Sequence, residues 1–241
     1  MKKQVMTLSD LPSLVKQGLT LVLEKIEQAI QQRGKCTLVL SGGSTPKPLY
    51  EALAEQSLPW EKIAIFWGDE RYVNPDHPDS NQRMTKQALL DRIEIPSTNI
   101  YAMPTGSPDP ALDARKYETS LLEYFQINPG VFPAFDIILL GMGDDGHTAS
   151  LFPHTEALNV KDRLITVGQK DGQPRLTFTA PLINQARCVI FLVAGSNKQN
   201  ALAEVFAPEG DAMTYPSRLI QPQGELWWLL DRSAGQNLSI D

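Results

Sequence analysis

The 241-residue chain is 42% apolar and 21% charged, ordinary for a globular protein and rich enough in aliphatic residues for a sizeable core. Its net charge of -6, with no Lys/Arg cluster, argues against a nucleic-acid partner, which would call for a basic stripe. No apolar run approaches the roughly 20 residues needed to cross a bilayer. Thr7, Ser9 and Asp10 follow Lys2 and Lys3, so no signal-peptide core opens the sequence, and a cytoplasmic protein without membrane contact is expected.

Leu11, Leu14, Val15, Leu19, Val22, Leu23, Ile26 and Ile30 recur at three-and-four spacing and stop at Gly34, predicting an amphipathic helix over 11–33. A short buried strand over 36–40 follows, and Ser41-Gly-Gly-Ser-Thr-Pro46 turns the chain into a helix near 46–56. Ser44 or Thr45 is expected to cap that helix, with Pro46 in its first turn, while Gly42 and Gly43 let amides face an anion. The turn lacks the Gly-Lys-Ser/Thr of a Walker loop and the third glycine of a dinucleotide fingerprint. On its own it is equally an ordinary strand-to-helix turn.

The strand over 63–67 ends in Gly68-Asp69-Glu70-Arg71. Arg71 offers a planar fork for phosphate or carboxylate, and an acid beside it could orient a base or a hydroxyl. The plain alternative is a surface ion-pair cluster. A helix starts near Ser80, with Asn81 placed to cap it or to touch a ligand. A strand over 99–103, a Pro-rich loop and a helix over 110–126 come next.

The apolar run 135–140 has the pattern of a strand buried on both faces. It breaks into Gly141-Met-Gly-Asp-Asp-Gly-His147, where glycines let the backbone crowd a ligand. Histidine is the side-chain type whose charge changes near neutral pH, and His147 stands beside Asp144 and Asp145, a setting suited to proton transfer. His77 and His154 lack that setting, and no spacing here matches a zinc site, so no metal is expected. Strands follow over 163–167, 175–179, 189–193 and 226–230, with a helix over 197–206. Arg175 begins a strand, and Lys198 opens a helix, where a cation opposes the dipole unless an anion is there. Together with the 42–45 amides they suggest a phosphate site. Cys36 and Cys188 read as buried thiols, not a disulfide.

Strands alternating with helices predict an open, mostly parallel, Rossmann-like α/β sheet with helices on both faces. No repeat or long linker divides the chain, so 1–241 is expected to form a single domain. The polar segments 41–46, 68–71, 141–147 and 195–198 each follow a strand, so they should meet at the sheet's carboxyl edge, where ligands collect in such folds.

These motifs, Ser41–Pro46, Trp67-Gly-Asp-Glu-Arg71, Gly141–Pro153 and Arg175-Leu-Thr, resemble the 6-phosphogluconolactonase family in order from about residue 10 to 230. The resemblance implies a fold similar to glucosamine-6-phosphate isomerase. It also implies hydrolysis of 6-phosphoglucono-1,5-lactone to 6-phosphogluconate, in the oxidative pentose phosphate pathway, without a required cofactor. The implied partner is a small sugar-phosphate lactone, met by a monomer or weak homo-oligomer. His147, held by Asp145, would activate water; Arg71 and the 42–44 amides would face the oxyanion; Arg175 and Lys198 would grip the phosphate. Asp69 would hold sugar hydroxyls or orient His147, and the choice among Asp69, Asp144 and Asp145 stays open. The rivals are a deaminase or isomerase on the same scaffold and a non-catalytic sugar-phosphate sensor. Related deaminases typically carry Asn-Glu-Pro where Phe152 precedes Pro153 here, and Asp-Glu-Tyr where Asp69-Glu70-Arg71 stands, so both departures favour the lactonase.

Overall fold

The computed structural model describes residues 2–238. The long first helix, α1 (Leu11–Arg33), starts where the Asp10 carboxylate accepts the Ser13 amide at 2.8 Å. It stops at Gly34, whose left-handed φ of 75° costs a glycine little. Its stripe of Leu14, Leu21, Val22 and Ile26 is buried in the common core. Among the described residues no helix is long and apolar enough to cross a membrane.

Seven strands form one parallel sheet: β1 (Lys2–Leu8), β2 (Cys36–Leu40), β3 (Ile63–Trp67), β5 (Ile100–Tyr101), β6 (Ile137–Leu140), β9 (Cys188–Val193) and β10 (Glu225–Asp231). Their spatial order is β1-β10-β9-β6-β2-β3-β5. Every residue of β2, β3, β6 and β9 is buried, which explains their unbroken apolar sequences: both faces are covered. The chain fills the sheet from β2 towards β5, then returns to the other side of β2 with β6. Neighbouring loops after β2 and β6 therefore run in opposite directions and leave a crevice between them.

The parallel sheet matches expectation, but three further strands do not belong to it. β4 (Asp69–Arg71), β7 (Ile165–Lys170) and β8 (Gln173–Phe178) make a separate antiparallel sheet of order β4-β8-β7. The strands expected over 163–167 and 175–179 exist as a hairpin, turned at Asp171-Gly172, where both residues have positive φ. A short connection permits only antiparallel pairing, since a parallel return needs a crossover of a dozen residues or more. β1 and β4 had no counterpart in the sequence reading.

The helices after α1 are α2 (Lys47–Ala54), α3 (Asn81–Ala88), α4 (Pro110–Phe125), α5 (Ala180–Asn184), α6 (Gln199–Phe206) and α7 (Arg232–Gly235). Cys36 and Cys188 are free and buried, and burial raises both thiol pKa values, that of Cys188 to about 12.

Candidate active site

A cleft of about 360 Å³ opens at the carboxyl ends of β2, β3, β6 and β9. Its wall includes Gly42, Gly43, Ser44 and Thr45 after β2, and Asp69 and Arg71 on β4. Asn81 of α3, His147, Arg175 of β8, and Asn197 and Lys198 after β9 complete the polar lining.

In the β2 turn the expectation about capping fails. Pro46, not Ser44 or Thr45, stands at the cap position of α2, and no side chain caps that end. Pro46 fits there because its fixed φ, here -78°, is already helical. Gly42 has a separate reason to be glycine, since a Cβ there would overlap the amide of Asn81. That amide donates to the Asp69 carbonyl at 2.9 Å, while its buried Oδ1 has no partner. Ser41 Oγ and Arg71 Nε are likewise buried and unpartnered on this wall, so unmet hydrogen-bonding capacity gathers at one place.

Period-two alternation sorts the three residues of β4. Asp69 and Arg71 reach the cleft, whereas Glu70 is turned to the start of α3. There its carboxylate accepts from the amides of Arg71, Asn81 and Gln82 and from Ser80 Oγ. Burial raises the Glu70 pKa even against these bonds. Asp69 accepts from Ser150 Oγ at 2.7 Å, a buried contact between residues 81 positions apart. Ser150 lies within the Gly141–Pro153 motif, but only tertiary structure reveals its partner.

His147 sits in the turn after β6. Its Nδ1 lies 2.5 Å from Asp145 Oδ1, which also accepts the His147 amide at 3.0 Å. Burial alone would raise the Asp145 carboxyl; the bonds from the His147 ring and amide outweigh it and hold the pKa at about 2. A carboxylate on Nδ1 directs Nε2 away from it, free for other chemistry. Asp144 is exposed, and Asp69 faces Ser150, so Asp145 is the carboxylate at the ring. Gly143 must lack a side chain, because a Cβ there would overlap the imidazole.

Arg71 and Arg175 are directly paired across β4 and β8. Burial, and then the charge of Arg71, lower the pKa of Arg175 from its ordinary value. Among the described residues neither guanidinium forms an ion pair; Arg71 donates one bond, to the Asp79 carbonyl at 2.6 Å. Two like charges side by side, neither held in an ion pair among the described residues, make an arrangement that an anion relieves.

The family model for glucosamine-6-phosphate isomerases/6-phosphogluconolactonase matches residues 9–228. The chain belongs to this family. It is 64% identical to a 6-phosphogluconolactonase of Synechocystis over 238 residues, 99% of each chain. It is 63% identical to one of Nostoc over the full length of both. The crystal structure of 6-phosphogluconolactonase from Thermotoga maritima superimposes with a TM-score of 0.84 at 34% identity, covering 95% of this chain and all of that one.

Proposed function

We propose that the chain hydrolyses 6-phospho-D-glucono-1,5-lactone to 6-phospho-D-gluconate. The observation that carries this is the His147–Asp145 pair in a cleft shared with Arg71, Arg175 and Lys198. Near-identity in length to relatives named for this reaction supports it.

Asp145 accepts a hydrogen bond from Nδ1–H and stays ionised, so Nε2 takes a proton from water as the water oxygen bonds to the lactone carbonyl carbon. The resulting oxyanion is met by Arg71 and amides of the 42–44 turn. Collapse of the intermediate breaks the bond to the ring oxygen, which receives the proton from His147. The new carboxylic acid then ionises, releasing acid. Arg175 and Lys198 hold the phosphate, and that remote binding fixes the carbonyl beside His147. Asp69, steadied by Ser150, and Asn81 Oδ1 accept from sugar hydroxyls. Water and one positioned base suffice, and no cofactor is required. Residues 1–241 act as one catalytic domain, in the cytoplasm, as a monomer or weak homo-oligomer.

The test supplies the phosphorylated lactone and follows acid release above its spontaneous opening. His147→Ala should lower kcat by roughly 10² to 10⁴, the usual contribution of such a base. Acid release untouched by that substitution would sink the mechanism. Ammonia released from glucosamine 6-phosphate would favour a deaminase, and tight sugar-phosphate binding without turnover would favour a sensor.

A further inference from the structure

Phe152 is 4% exposed and carries no hydrogen-bonding group, yet its ring meets two functional side chains. The His147 imidazole lies 4.4 Å away between ring centroids, tilted by 42°. The Arg175 guanidinium carbon stands over the same ring, 5.3 Å from its centroid. Arg175 forms no ion pair among the described residues and stands beside the like charge of Arg71; Asp69, Asp171 and Asp79 attract it from farther off, and the ring gives it a direct attractive contact.

Resting on the lactonase reading above, we propose that Phe152 is a positioning residue that seats the proton acceptor and the anion-holding arginine on one aromatic ring. The chemistry favours an aromatic side chain at this point. A carboxylate would orient both side chains but would neutralise Arg175 and occupy its N–H donors. An aliphatic side chain would leave the donors free but offer a cation no attraction. A π face attracts the guanidinium through its quadrupole and consumes none of the five donors. The ring also fixes the imidazole plane, so base and phosphate grip keep a constant separation.

The experiment uses full-length protein carrying Phe152→Leu, Phe152→Tyr, Arg175→Ala, or Phe152→Leu with Arg175→Ala. Titration calorimetry measures 6-phosphogluconate affinity, and lactone kinetics are followed between about pH 5 and 8, where histidine titrates. Phe152→Leu should weaken product affinity and raise KM by about 2- to 30-fold, the range of a cation–π contact from exposed to desolvated. It should also lower kcat and move the acid limb of its pH profile, because the imidazole loses its brace. Phe152→Tyr should restore all three. In the Arg175→Ala background the affinity loss from Phe152→Leu should vanish. Should Phe152→Leu not fold, Phe152→Met takes its place, keeping bulk without a π face. A variant that only melts earlier, or an affinity loss equal in both Arg175 backgrounds, overturns the proposal. Failure of the unsubstituted protein to open the lactone would instead overturn the hydrolase reading, while the binding cycle would still judge Phe152.

Discussion

At the scale of single residues, the His147–Asp145 pair depends on what its neighbours leave out. Gly143→Ala would thrust a methyl group into the imidazole, so kcat should fall within the roughly 10² to 10⁴ that a positioned base supplies. Asp145→Asn should lower kcat less than His147→Ala, since the ring stays but its orientation loosens. Steady-state kinetics on the three variants check this order, and equal losses would contradict it. Asp145 is held at about 2, below its unfolded value near 3.9. What it contributes is therefore complete above that unfolded value and fades only as pH falls towards 2. Loss of activity between pH 5 and 7 must come from another group. Sequence alone presents Asp144 and Asp145 as adjacent equals, and the turn around Gly146, with φ of 77°, separates one at the ring from one in solvent.

At the scale of elements, the short strand β4 works because the loop after it is tied down. Tyr72 Oη and the Ser107 amide meet the buried Asp113 carboxylate at 2.7 and 2.8 Å, and Lys116 joins them at 2.8 Å. Burial opposes ionisation of Asp113, but these partners prevail and hold its pKa at about 2. A depressed carboxyl stabilises the fold above its unfolded value and loses that contribution as pH drops towards 2. Asp113→Asn should therefore lower the melting temperature at neutral pH and flatten the decline between about pH 4 and 2. Thermal melts across that range decide it, and parallel curves for both proteins would refute it.

The long elements of this fold were readable because burial on two faces or one leaves a periodic trace. α1 and the all-apolar strands carried that trace; β4, three residues of Asp-Glu-Arg, and β1, opening with Lys-Lys-Gln at the sheet edge, did not. The cleft loops were found from their glycines and charges. The cap was misjudged because Ser and Thr are strong caps in general, whereas here Pro46, with its helical φ, stands at that position and no side chain caps the end.

At the scale of the molecule, the two edges of the parallel sheet carry separate duties. At the edge away from the cleft, Asp136 precedes β6 and accepts from the Thr37 amide and hydroxyl at 2.8 and 3.0 Å. Arg33 and Arg187 flank it at 2.8 and 3.4 Å. Asp136→Ala should cost about 1 to 3 kcal/mol, because the buried Thr37 amide and hydroxyl lose a charged acceptor while the half-exposed arginines are met by water. Lactone kcat and KM should stay as they are, because no cleft residue touches this cluster. Urea denaturation beside kinetics tests the division, and a raised KM would refute it. At the opposite edge, the facing guanidinium groups of β4 and β8 give the small sheet a built-in dependence on its ligand. A phosphate dianion held by Arg175 and Lys198 offsets the repulsion between Arg175 and Arg71, so amide protons of both strands should exchange more slowly as phosphate is titrated in. On the proposed phosphate grip, this corner should be knit more tightly as the sugar phosphate fills the cleft, tying local rigidity to metabolite level.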